Sequence, residues 1–129
     1  MALDAATGRQ RWRFDPKSEN DETLGRRLRG VMYWADGGDC RIFTAGATRL
    51  YALDARTGQQ VRTFGDNGSI ALGAGLRSEG KPAVAGLNTP SSIYFDGNVI
   101  WVTNTGANNP SAPKAHSVSR ITLSGAITT

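Results

Sequence analysis

The chain has 129 residues and a formal net charge of +4, a length that suits one ordinary domain or part of a larger one. Its 16 glycines favour a turn-rich β chain, because glycine costs about 1 kcal/mol inside a helix. Single cysteine and histidine residues, Cys40 and His116, exclude an internal disulfide and a site built from several cysteines or histidines. No apolar run has the roughly 20 residues of a membrane span, and we expect no signal peptide after Met1.

An internal repeat is the strongest pattern in the chain. The sequence ALDAATGRQ, which starts at Ala2, returns as ALDARTGQQ at an offset of 50 residues, with seven of nine positions identical. A period of this size is typical of solenoids and propeller blades. Each copy predicts two strands joined by a Thr-Gly turn, in which Asp4 and Asp54 accept turn amides and Gly8 and Gly58 take a positive φ.

Short alternating apolar runs between glycine-containing turns predict the remaining strands. In chain order, strands are expected near 31–34, 41–45, 49–54, 61–64, 92–96, 99–103 and 117–123, with helix below a tenth of the chain. The residues expected to supply most of the core are Ile42, Phe43, Leu50, Leu53, Ile93, Phe95, Ile100, Val102, Val118 and Ile121.

The amino-acid composition changes after the second repeat. Small residues, glycine and Pro82 dominate 73–86, which we interpret as a linker or long surface loop. The expected organisation is therefore 1–72, the linker 73–86, and 87–129. Both chain ends are expected to fall within strands.

The first part resembles a known family. The segments ALDAATGRQRWRFDP, RGVMYW and CRIFTAGATRLYALDARTGQQVRTFGDNG occur in the order and with the spacing of the pyrroloquinoline-quinone-dependent dehydrogenases, particularly the membrane-bound glucose dehydrogenases. The resemblance implies an eight-bladed propeller that oxidises sugars or alcohols on the periplasmic side with quinone and calcium. The family's docking motif, Ala-x-Asp-x-x-x-Gly-x-x-x-Trp, matches Ala2 to Trp12, but the second copy has Arg62 in place of the tryptophan.

The second part, about 87–129, resembles a different group. GLNTPSSIYFDGNVIWVTNTGANN followed by SVSRITLSGAITT is similar to a blade of the NHL-like or streptogramin-lyase-like propellers. The dehydrogenase resemblance is expected to end near residue 72. A chimera, a recombined gene or an engineered chain would explain such a junction.

Arg29 is the one candidate cofactor residue. It lies in the Arg-Gly-Val sequence where the quinoprotein resemblance implies an arginine bound to a quinone carboxylate, and a guanidinium suits a carboxylate in a bidentate pair. The alternative is an exposed loop arginine beside Arg26 and Arg27. The resemblance makes pyrroloquinoline quinone and calcium possible cofactors, but no catalytic or metal-binding residue of the family can be recognised in this sequence.

Other chemically capable residues are interpreted as structural. We expect Trp12, Trp34 and Trp101 to pack in the core or between blades rather than to stack on a ligand, since a tryptophan buries a large area. Cys40 is interpreted as a small buried hydrophobe and His116 as a surface residue. The residues interpreted as turn residues rather than metal ligands are Asp36, Asp39, Asp66, Asn67, Asn104, Asn108 and Asn109.

The sequence thus predicts an all-β fold of about two and a half antiparallel propeller-type blades. Open sheet edges pair readily with another chain, so a homo-oligomer is expected. Two functions remain open: a fragment of a quinoprotein dehydrogenase that is not catalytically complete alone, and a non-enzymatic β-blade module for assembly or binding. Binding of an acidic partner through Arg26, Arg27 and Arg29 is a weaker alternative. Nucleic acid is not favoured, because no aromatic stripe accompanies these arginines.

Overall fold

The computed structural model describes residues 1–16, 30–46, 49–72, 88–106 and 117–128. Ten β-strands lie in these ranges, which confirms the all-β class. Their bounds are β1 Ala2–Leu3, β2 Gln10–Trp12, β3 Met32–Asp36, β4 Asp39–Ala45, β5 Arg49–Asp54, β6 Ser69–Ala71, β7 Asn88–Phe95, β8 Ile100–Gly106, β9 Ser117–Ile121 and β10 Ile127–Thr128. The linker predicted at 73–86 lies outside the described residues.

The strands form one hairpin and two four-stranded sheets, all antiparallel. β1 and β2 make the first hairpin, β3-β4-β5-β6 make the central sheet, and β10-β9-β8-β7 make the last sheet. In each four-stranded sheet every strand pairs with its neighbour in sequence. This meander is the connectivity of a propeller blade, so the predicted blade architecture is confirmed.

Strand β5, inside the central sheet, is covered on both faces and is buried from Leu50 to Leu53, whereas Tyr33 on the edge strand β3 is 61% exposed. Register places Phe43 between Met32 and Ala52 on one face, and this face packs on the last sheet. The opposite face meets the chain that follows β2, where the rings of Phe14 and Tyr51 are 5.1 Å apart. A strand buried on both faces reads as a continuous apolar run, as the sequence LYAL does.

The core between the central and last sheets contains apolar residues from both of them. Its buried members are Phe43, Ala45, Leu50, Ala52, Phe64, Ile70, Leu72, Ile100, Val102 and Ile121. The rings of Phe43 and Phe64 meet edge to face at 5.4 Å. Such aromatic pairs prefer this geometry because the edge of one ring is attracted to the face of the other.

Polar contacts also join the two sheets. The guanidinium of Arg41, on β4, donates to the carbonyl of Leu123 at 3.2 Å. The amide of Gly65 donates to the carbonyl of Ser124 at 3.0 Å. The turn after β9 is thereby held against the central sheet.

Most of the predicted core is confirmed. Phe43, Leu50, Leu53, Ile100, Val102 and Ile121 are buried, and Ile42, Ile93 and Phe95 are half-buried. The prediction that Val118 is a core residue is wrong. Val118 is 51% exposed, because its cross-strand partner is Thr103 on the outer face of the last sheet. Tyr51, Phe64, Leu72 and Val99 are buried residues that the prediction omitted.

The strand predicted over 61–64 is also wrong. Gln60 bridges Leu53, but the Phe64 amide then donates to the Val61 carbonyl at 2.9 Å, which closes a turn. The turn directs Phe64 into the core, and the fourth strand of the sheet forms later at Ser69–Ala71. The other predicted strands correspond to β3, β4, β5, β7, β8 and β9, with ends that differ by up to four residues. Among the described residues, no helix is long and apolar enough to cross a bilayer.

Candidate functional site

The two repeats form the same hydrogen-bonded turn. Asp4 Oδ1 accepts the amides of Ala6 and Thr7 at 3.1 and 2.9 Å, and also the Thr7 hydroxyl at 2.9 Å. In the second copy, Asp54 Oδ1 accepts the corresponding three donors at 2.9, 2.9 and 3.1 Å. These are the turn-capping aspartates that the sequence predicted.

Those hydrogen bonds favour the ionised carboxylates. The Thr7 hydroxyl, followed by the Thr7 amide, lowers the pKa of Asp4, and the Thr57 amide is the main cause that lowers the pKa of Asp54. Gly8 and Gly58 end the two turns with φ of +69° and +73°, as predicted. The role of Asp4 and Asp54 is therefore to stabilise the turns in which they lie.

Trp12, the last residue of the first copy's motif, packs on the turn of the second copy. Its indole N–H donates to the carbonyl of Ala55 at 3.1 Å. Its ring covers Gly58 so closely that a Cβ there would lie 2.5 Å from Trp12 Cε3. The docking motif thus joins the first hairpin to the central sheet, and the packing role predicted for Trp12 is confirmed.

The junction between the central and last sheets uses main chain in place of a tryptophan. After β9, the Thr122 hydroxyl accepts the Ala126 amide at 3.0 Å, and Gly125 has φ +91°. This turn lies against the backbone of Gly65, which a Cβ on Gly125 would overlap. The sequence identified Ser124-Gly125 only as a turn. The Gly125 amide donates to the Thr122 carbonyl at 2.9 Å, as the Gly8 and Gly58 amides donate to the carbonyls of Asp4 and Asp54, so this turn is a version of the repeat turn that is one residue shorter.

A cleft of about 490 Å³ opens beside the docked tryptophan. Its walls come from the segment after β2, from the second repeat turn, and from the chain before β6. The lining residues are Arg13, Phe14, Asp15, Thr57, Gly58, Gln59, Gln60, Arg62 and Asn67. These described lining residues include two arginines and one aspartate, a surplus of positive charge.

The other two tryptophans have different surroundings. Trp34 packs on the core between the sheets, with the Arg41 guanidinium 5.3 Å from its ring centroid. Trp101 is half-buried on the last sheet and donates its indole N–H to Asp96 at 2.7 Å. With two turn amides, this bond lowers the pKa of Asp96 to about 2.

The remaining candidate residues are dispersed. Cys40 is half-buried and hydrogen-bonds Tyr33, whose pKa it raises. Asp36 and Asp39 flank the turn between β3 and β4, where Asp39 pairs with Arg41. Asp66 and Asn67 form the turn before β6, with Asn67 at φ +52°.

Within the described ranges, no three His, Cys, Asp or Glu side chains converge as a metal site requires. Arg29, the candidate cofactor residue, lies outside the described residues. The same holds for Arg26, Arg27, His116, Asn108 and Asn109, and the side chain of Asn104 is not described.

The meander sheets, the repeated Asp-Thr-Gly turns and the docked tryptophan define blades of a β-propeller. A family model described as the β-propeller domain of glucose/ethanol/alcohol dehydrogenases with pyrroloquinoline quinone (PQQ) matches residues 1–120. The chain belongs to this family.

The match extends through the predicted linker and into the last sheet. The expectation that the dehydrogenase resemblance ends near residue 72 is therefore wrong. The resemblance of 87–129 to NHL-like blades stays a prediction.

Curated relatives agree with the family. The chain is 28% identical to quinoprotein glucose dehydrogenase A of Acinetobacter calcoaceticus, over 87% of this chain and 20% of the relative. It is 33% identical to a probable quinate dehydrogenase (quinone) of Xanthomonas campestris pv. juglandis, over 64% and 13%. It is 30% identical to quinoprotein glucose dehydrogenase of Escherichia coli, over 78% and 14%. The chain spans a fifth or less of these relatives, and no solved structure matches it.

Proposed function

We propose that this chain acts as a blade segment of a PQQ-dependent sugar or alcohol dehydrogenase and is not catalytically complete alone. The observation that carries the proposal is Trp12 docked on Gly58, which joins successive repeats in a family of propeller dehydrogenases. The relatives are named for glucose and quinate oxidation. On the basis of the family resemblance, we propose that the protein acts in the periplasm.

The proposal assigns Arg29 to one carboxylate of the quinone. PQQ, when bound, is the acceptor of the electrons removed from the substrate, and calcium is its partner in the family. Within the described residues no three His, Cys, Asp or Glu side chains converge, and we assign these residues no catalytic step. Their contribution is to hold the blades together, through the docked Trp12 and the hydrogen bonds of Arg41 and Gly65 to the last sheet.

The test is a titration of the full chain with PQQ and calcium, followed by dye reduction with glucose or ethanol. We expect quinone binding without turnover. Arg29→Gln should weaken binding about 10- to 100-fold, because a charge-assisted hydrogen bond to the carboxylate is lost. Arg26→Gln, which removes the same charge from the same segment, should leave it unchanged. Sustained dye reduction would show that the chain is complete alone, and equal effects of both variants would remove Arg29 from the quinone site.

The second candidate is a non-enzymatic β-blade module that assembles with copies of itself. It is favoured by the outer face of the last sheet, where Tyr94 is 65% and Val118 51% exposed. The sheet edges offer a second route to the same association. This candidate predicts a defined oligomer by light scattering and no binding of PQQ. A monomer that binds the quinone would exclude it.

A further inference from the structure

The cleft beside Trp12 has the features of a binding site for an anion. The Arg62 side chain is exposed, and within the described residues it forms no ion pair. Arg13, which also lines the cleft, is 3.8 Å from Asp15, and both side chains are well exposed at 68% and 45%. Exposed pairs of this length contribute little, so Arg13 can exchange this partner for a ligand.

The repeat explains why the side chain at position 62 is not packed on a neighbouring turn. Arg62 occupies the position at which the first copy has Trp12, the docking tryptophan. In the first copy that side chain packs on the next turn. In the second copy the next junction is made by the Gly65 and Gly125 backbones instead. The side chain at position 62 is thus released from docking, and it lines the cleft.

The other walls complement the two guanidiniums. Gln59 and Asn67 bring amide groups that can donate to an oxyanion, and Phe14 brings an apolar surface. Among the described lining residues, two arginines stand against one aspartate, which gives this part of the cleft a net positive charge. Guanidinium groups bind carboxylates and phosphates in bidentate geometry, which an amide or ammonium cannot reproduce.

We propose that this cleft binds a small organic oxyanion, a carboxylate or a phosphate ester, between Arg13 and Arg62. The site is separate from the quinone site assigned to Arg29 and does not depend on it. An organic body can rest on Phe14 while the charged group lies between the arginines.

The experiment titrates the isotopically labelled full chain with citrate and with inorganic phosphate, without quinone or calcium. The readout is the amide signals of Gly58, which lines the cleft, and of Gly68, which follows the lining residue Asn67, together with the indole signal of Trp12. We expect saturable shifts of these signals. Arg62→Gln and Arg13→Gln should each raise the dissociation constant about 10- to 100-fold. Citrate should bind better than phosphate if the ligand is a carboxylate, and the reverse order identifies a phosphate ester.

Arg120→Gln is the matched control, since Arg120 is an exposed arginine on the last sheet. It removes the same charge and should leave binding unchanged. Glucose, which is neutral, should shift none of these signals. Equal weakening of binding by Arg120→Gln would show that the effect comes from net charge alone and would overturn the proposal. The proposal would also be overturned if neither anion gave saturable shifts while the amide spectrum remained that of a folded chain. Neither result depends on whether PQQ binds.

Discussion

Gly58 is the residue on which the contact between the repeats depends. Its φ of +73° disfavours any side chain, and a Cβ would lie 2.5 Å from Trp12 Cε3. We therefore expect Gly58→Ala to lower the free energy of unfolding by about 2–4 kcal/mol, from backbone strain and displacement of the indole. Denaturant unfolding followed by tryptophan fluorescence measures this.

Gly8 is the natural control for that substitution. It has nearly the same φ, +69°, but nothing lies within 4 Å of its Cβ position. Gly8→Ala should cost only the backbone term, about 1 kcal/mol. Equal losses in the two variants would show that Trp12 docking contributes nothing beyond turn geometry.

Asp96 provides a pH-dependent contact. Its folded pKa of about 2 lies below the ordinary value of 3.8, mainly because of the Trp101 indole bond. A depressed carboxyl pKa stabilises the fold above the unfolded value, and this contribution is lost as pH falls towards 2.

Trp101→Phe removes the indole donor, so the pKa of Asp96 should rise towards 3.8. Carboxyl-carbon chemical shifts recorded from pH 6 to 1.5 measure this. An unchanged Asp96 titration would show that the two turn amides alone depress the pKa.

Among the elements, those with local signals could be predicted from the sequence. β4, β5, β7 and β8 have period-two or continuous apolar patterns beside glycine turns, and they form as expected. β6 was missed because three residues, Ser69–Ala71, are too short for a pattern. Val118 was misplaced because alternation identifies the two faces of a strand but not which face another sheet covers.

The cleft, too, could be predicted only in part from the sequence. The repeat singled out Arg62 as a departure from the motif, and this was visible in the sequence. That Arg62 and Arg13 line one cleft follows from the first hairpin docking on the next turn. Such a long-range contact leaves no local pattern.

Arg41 connects two elements that are far apart in sequence. It forms an ion pair with Asp39 and reaches the Leu123 carbonyl of the last sheet at 3.2 Å. A lysine cannot make both contacts, because it lacks the forked donors. We expect Arg41→Lys to lower the free energy of unfolding by about 1–2 kcal/mol in chemical denaturation.

Arg120→Lys, on the exposed surface of the last sheet, should change stability by less than about 0.5 kcal/mol. If Arg41→Lys were equally mild, the link between the sheets would rest on the apolar core alone.

At the scale of the whole molecule, the burial of the two sheets is unequal. In the central sheet both faces of β5 are covered, by the chain after β2 and by the last sheet, while Tyr33 on β3 is 61% exposed. The last sheet has one covered face, and its outer face carries exposed Tyr94 and Val118 beside the half-buried Trp101. The same face also carries the exposed Thr103 and Arg120, so it is mixed in polarity. Its exposed Tyr94 and Val118 make it a candidate interaction site, since burying them against protein removes them from water.

Self-association through that face can be tested by placing a charge on it. Burial of an unpaired ammonium is unfavourable, so Tyr94→Lys and Val118→Lys should each shift the light-scattering mass towards the monomer if copies pack there. Asn98→Lys adds the same charge at the exposed turn between β7 and β8, off the face, and should leave the mass unchanged. If all three variants kept the oligomeric mass of the original chain, association would have to use the sheet edges instead. A mass that falls only with the two face variants would identify the outer face of the last sheet as the interface.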